Sequence, residues 1–100
     1  MADYMLLMHE LPNGMAYPDW GPYLAKLGAS GHLRGGSAIG GGLCVRRDSG
    51  DTPDITRHIG GYIKVEAESL DAAKDLLAGN PVYEAGGVVE IRELPRSDEG

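Results

Sequence analysis

One hundred residues make one domain with a single core and little stability to spare. Hydrophobic residues are 42% and charged residues 24% of the chain, a balance too apolar for disorder. Nine Lys and Arg against fifteen Asp and Glu give a net charge of −6, which argues against a nucleic-acid surface, since those work by displacing counterions from phosphates.

Tyr4 to Met8 is a continuous apolar run of strand length, as in a central strand buried on both faces. Leu11-Pro12-Asn13-Gly14 closes it with turn chemistry. A helix follows, with Asp19 able to cap it and Pro22 in the first turn, where a missing N–H does no harm. Trp20, Tyr23, Leu24 and Leu27 recur at i, i+3, i+4, i+7 and form its apolar stripe; Gly31 suits its left-handed end.

Leu33 to Ile39 reads as a short strand broken up by glycines, and Leu43 to Arg47 as another. Asp48-Ser49-Gly50-Asp51 is then a turn. His58 to Glu66 is the clearest strand, with Ile59, Ile63 and Val65 on one face and His58, Tyr62, Lys64 and Glu66 on the other. Ser69 caps a helix from Leu70 to Ala78 whose buried stripe is Leu70, Ala73, Leu76 and Leu77; Gly79 ends it and Pro81 prevents its return. Val88 to Leu94 is the last strand. The domain spans 1–95, and 96–100 is a charged tail.

Each half of this order is a split βαβ unit. The expected fold class is α+β: a ferredoxin-like sandwich with one antiparallel sheet in the order 4-1-3-2, two helices on one face and an extra hairpin. The open face of such a sheet carries Tyr62 and part of the Tyr4–Met8 strand. A second copy of the chain is the expected cover, hence a homodimer.

The lone Cys44 excludes an internal disulfide. Its setting in Leu43-Cys44-Val45 reads as an inert thiol in a strand core. Asp3 precedes the first apolar run and no basic leader is present, so the start does not read as a signal peptide. No run reaches the length of a membrane span. A cytoplasmic protein without cofactor, membrane or nucleic-acid partner is expected.

The strand order gathers candidate chemistry at one rim. His9 ends the first strand, His58 starts the third and Glu84 precedes the fourth, while His32 falls at the opposite rim. A histidine with a carboxylate is the usual pairing of base and orienter. His9 and His58 are therefore the candidate bases and Glu84 the orienter; Asn80, Trp20 and Tyr62 are candidate substrate contacts. Strand ends are also wet, and solvated histidines are common there. A metal site from His9, His58 and Glu84 lacks local ligand spacing and is not expected. Gly40-Gly41-Gly42 has no following Lys-Ser/Thr and is not a phosphate loop, and Ser37 sits in no nucleophile motif.

Two segments carry a family resemblance. Ile59-Gly60-Gly61-Tyr62 through Ser69-Leu70-Asp71-Ala72-Ala73 is similar to a "GGY…LDEA" stretch, and Asn80-Pro81-Val82-Tyr83-Glu84-Ala85-Gly86 to a "DPY-x-x-AG" segment. With the opening Tyr4-Met5-Leu6-Leu7, the chain resembles the YCII-related (YciI/DGPF-like) family. The resemblance implies a dimeric α+β barrel with a pocket near the dimer contact. A few members of that family act in dehydrochlorination of chlorinated hydroxyquinols.

The chain departs from the family's pattern in two ways. The Asp-Gly-Pro-Phe signature is replaced by Thr52-Pro53-Asp54-Ile55. The positions of a proposed His–Asp acid–base pair hold Trp20 and Asn80, neither of which titrates usefully near neutrality. Two functions are therefore expected as alternatives. One is a small dimeric enzyme doing proton-transfer, lyase- or isomerase-like chemistry on an oxygenated or aromatic compound. The other is a non-catalytic small-molecule or protein-binding module using the same pocket.

Overall fold

A computed structural model describes residues 2–11, 19–47 and 50–95. In chain order it contains β1 (Ala2–His9), α1 (Gly21–Ala29), β2 (Leu33–Ala38), β3 (Ile59–Ala67), α2 (Leu70–Asp75), α3 (Pro81–Glu84) and β4 (Val89–Leu94). The four strands form one sheet in the order β2-β3-β1-β4, with every neighbouring pair antiparallel. This is the expected α+β, ferredoxin-like order. The turn expected at Leu11–Gly14 falls mostly outside the described residues, as do Asp48, Ser49 and the 96–100 tail.

β1 is central, and its side chains alternate. Tyr4, Leu6 and Met8 are buried beneath the helices, whereas Asp3, Met5, Leu7 and His9 on the opposite face are half-buried. A strand expected to be buried on both faces is thus covered on one. β3 has the same parity: Gly61, Ile63, Val65 and Ala67 are buried, and Tyr62, Lys64 and Glu66 share the open face. Helix residues Tyr23, Leu27, Ala73 and Leu77 complete the core.

The helices end as their residues dictate. Asp19 accepts the Gly21 N–H at 2.9 Å, although the helix begins one residue after Trp20 and Trp20 itself offers no cap. Gly31 at φ 83° and Gly79 at φ 88° take the left-handed turns that follow α1 and α2, where a Cβ would be strained. Ser69 accepts the Ala72 N–H at 3.0 Å, a contact worth about 1 kcal/mol. The α-helix ends at Asp75 rather than at Ala78, followed by tighter turns in which the Leu76 and Leu77 N–H groups donate to the Ala73 and Lys74 carbonyls, and Leu70 is exposed instead of joining the buried stripe. The Tyr23 hydroxyl donates to the Leu76 carbonyl at 2.8 Å and fastens α1 to the turn after α2.

The expected hairpin is absent among the described residues. Leu43 to Arg47 forms no strand, and Leu43 and Val45 are 76% and 81% exposed. Cys44 is consequently a half-buried free thiol rather than part of a strand core. Residues 39–47 and 50–58, between β2 and β3, form no strand or helix and are mostly exposed. The radius of gyration is 15.5 Å, whereas a compact chain of this length is expected near 13 Å.

Candidate functional site

The β1–β3 ladder shifts register between Met8 and His9: Met8 pairs with Gly61, but His9 pairs with Ile59. Beyond the shift the Glu10 N–H donates to the His58 carbonyl, and on the other side the His9 N–H donates to the Val88 carbonyl at 3.0 Å. The end of β1 is thus pinned to the chain segments entering β3 and β4. The His9 and His58 rings meet edge to face, 4.9 Å between centroids and 72° between planes. Strand order alone brought these two candidates together.

The carboxylate beside them is Glu90. The β1–β4 register pairs Leu7 with Glu90, which makes Glu90 a diagonal neighbour of His9 on the open face. His9 Nε2 lies 3.1 Å from Glu90 Oε1, and Arg92 Nη1 donates to Glu90 Oε2 at 3.2 Å. The hydrogen bond from His9, and then the Arg92 guanidinium, hold the Glu90 carboxyl below its ordinary value. Among the described residues His9 Nδ1 has no hydrogen-bond partner.

Glu84, the expected orienter, points elsewhere. Its carboxylate accepts the Gly79 N–H at 2.9 Å and closes the turn between α2 and α3. Asn80 is 0% exposed and lies outside the cavity lining. Its Oδ1 accepts the N–H groups of Val82 and Tyr83 at 3.0 and 3.1 Å, so it caps α3 instead of facing a ligand. Its Nδ2 is buried without an acceptor among the described residues. Burial pushes the nearby Tyr23 hydroxyl up, and the Asn80 amide beside it pulls the other way. His32, at the far rim, is engaged with the Glu66 carbonyl through Nδ1 at 2.8 Å.

A cavity of about 500 Å³ opens beside the His9 end of β1. Its apolar wall comes from Trp20 and Leu24 of the α1 region, Leu33 and Ile63 of the sheet, and Val82 of α3. Its polar lining includes His9, Glu10, Ser37 and Tyr62. Trp20 sits edge-on to Tyr23, with 6.1 Å between ring centroids. Glycine lets β2 approach: a Cβ on Gly36 would lie 2.8 Å from the Tyr62 carbonyl oxygen. Of the expected residues, His9, Trp20 and Tyr62 line the cavity; His58 stands behind His9 and does not. Among the described residues no group of three His, Cys, Asp or Glu side chains is arranged to hold a metal, and no helix is long and apolar enough to cross a membrane.

Sequence pattern does not single out Glu90. It alternates with Val89 and Ile91, and parity alone puts it opposite to them. Only the β1–β4 register, which the sequence does not state, sets it against His9.

No curated protein matches the sequence. Among solved structures, the fold is similar to that of 5-chloro-2-hydroxyhydroquinone dehydrochlorinase (TftG) from Burkholderia phenoliruptrix AC1100, in complex with 2,5-dihydroxybenzoquinone. The TM-score is 0.61 at 17% identity, over 97% of each chain. At that identity the likeness is one of fold. The model of the YCII-related domain matches residues 2–96, essentially the whole chain, and the protein therefore belongs to the YCII-related family.

Proposed function

We propose that the protein is a small dimeric enzyme that transfers a proton to or from a compact aromatic or oxygenated compound held in the cavity. One observation carries this reading: His9 lines the cavity and is also hydrogen-bonded to a carboxylate. An apolar wall suits a ring, and a histidine among the lining residues suits an acidic hydroxyl. The likeness to a protein solved with 2,5-dihydroxybenzoquinone supports the same substrate class.

The test uses that compound and its chlorinated relative. Titration with 2,5-dihydroxybenzoquinone should shift NMR signals of cavity residues such as Leu24, Ile63 and Val82. Incubation with 5-chloro-2-hydroxyhydroquinone should release chloride. Binding without turnover would favour the non-catalytic module, which the Trp20 and Asn80 replacements at the family's paired positions also support. An absence of both signals would remove this substrate class.

The dimer is proposed through the open sheet face. Met5, Leu7 and Tyr62 lie there, and among the described residues no helix covers them. Light scattering at micromolar concentration should give twice the 10.6 kDa chain mass. A monomer at that concentration would sink this part of the proposal.

A further inference from the structure

We propose that Glu90 is the positioning residue of this site: it holds His9 as the Nε2–H tautomer in a single ring orientation, so that Nδ1 is the atom that exchanges a proton with the bound molecule. The inference rests on the reading of the cavity as a substrate site, and it adds a residue that neither the family resemblance nor the strand order supplies.

The geometry is specific. A neutral imidazole has one N–H donor and one acceptor nitrogen. An ionised carboxylate only accepts, so the 3.1 Å contact with Glu90 Oε1 requires the proton on Nε2. Nδ1 is then the basic atom, and among the described residues nothing occupies it. Arg92 fixes the other Glu90 oxygen at 3.2 Å, which restrains the carboxylate itself. His58 packs edge to face against the same ring at 4.9 Å and limits its rotation from a second side. The His9 ring is thus held by Glu90 of β4 and by His58, the residue before β3, so its rotation would have to break contacts to two different parts of the chain.

The chemistry balances without another reagent. Nδ1 takes a proton from an acidic hydroxyl of the bound compound. The O–H bond breaks, its electron pair stays on oxygen, and an N–H bond forms. The resulting imidazolium lies beside the Glu90 carboxylate, which offsets its charge. The substrate class this selects is a planar compound whose hydroxyl is acidified by its ring, such as a hydroxyquinone or an electron-poor phenol. A simple aliphatic alcohol holds its proton too tightly for an imidazole to remove it.

The test is NMR on protein with ¹⁵N-labelled histidine, recorded without ligand at a pH where the imidazoles are neutral. Wild type should show His9 as the Nε2–H tautomer, with cross-peaks between the His9 and His58 ring protons. Glu90→Ala should weaken those cross-peaks and move the His9 nitrogens toward the mixture of free imidazole. Glu90→Gln should restore both, because its amide oxygen still accepts the Nε2 proton. Arg92→Ala should give an intermediate loss, and Glu93→Ala, on the exposed edge of β4, should change neither. An Nδ1–H tautomer in wild type, or an unchanged ring in a folded Glu90→Ala, would overturn the proposal. Because no ligand is present, these outcomes are independent of the binding and chloride-release experiments. If 2,5-dihydroxybenzoquinone then binds, wild type should prefer it to cyclohexanol by at least tenfold, and loss of that preference without loss of the His9 geometry would reject the substrate class alone.

Discussion

Leu6→Ala is expected to cost about 2–5 kcal/mol of folding stability. Leu6 is fully buried at the middle of the central strand, paired with Ile63 on one side and Ile91 on the other. Deleting its isobutyl group removes burial and leaves a cavity that two flanking strands and the helices above cannot all move to fill. A domain of this size has roughly 5–15 kcal/mol in total, so the loss is a large share. The measurement is a urea midpoint at fixed protein concentration, with an unchanged slope showing that the unfolded state is not altered. Leu7→Ala, one residue along on the open face, separates two cases. In a monomer it should cost clearly less than Leu6→Ala. In the proposed dimer its cost should approach that of Leu6→Ala and depend on protein concentration.

His9→Ala is expected to slow the proposed proton transfer about 10²–10⁴-fold, the range a positioned general base supplies. Ligand affinity should change far less, since the apolar wall of Trp20, Leu24, Leu33, Ile63 and Val82 provides most of the contact. Single-turnover rates on the 5-chloro-2-hydroxyhydroquinone reaction, compared with the dissociation constant of 2,5-dihydroxybenzoquinone, separate the two effects. His58→Ala should lower the rate by a smaller factor, because His58 touches the His9 ring but does not line the cavity. A His9→Ala rate within about tenfold of wild type would place the base elsewhere.

Local pattern carried the core of the fold. Tyr4–Met8, the alternation of β3, and the glycine and serine at the helix ends are signals that neighbouring residues do not override. Leu43-Cys44-Val45 shows where that logic stops. Its alternation is that of a strand, but a strand exists only with a ladder partner, and within the described residues this segment has none. The site divides along the same line. His9 and His58 converge because strand order fixes which ends meet. Glu84 and Glu90 are six residues apart in sequence, and choosing between them needs the register of β4 and the turn that Glu84 closes with Gly79. Asn80 falls on the same rim and suggests a ligand contact, yet a buried side chain that satisfies two helix N–H groups has its acceptor already committed.

The central place of β1 sets a problem for the chain while it is being made. Its ladder partners all lie at residue 59 or later, in β3 and β4. At bacterial and eukaryotic elongation rates, roughly 4–17 s separate the synthesis of His9 from that of Leu94. Tyr4-Met5-Leu6-Leu7-Met8, among the most apolar segments of the chain, has no strand to pair with until β3 is complete at Ala67, roughly 3–12 s after His9, and lacks its second partner until β4 follows. In a chain of this topology the first apolar strand is made well before either strand that will flank it, so its exposed edges and apolar side chains stay unpaired during synthesis.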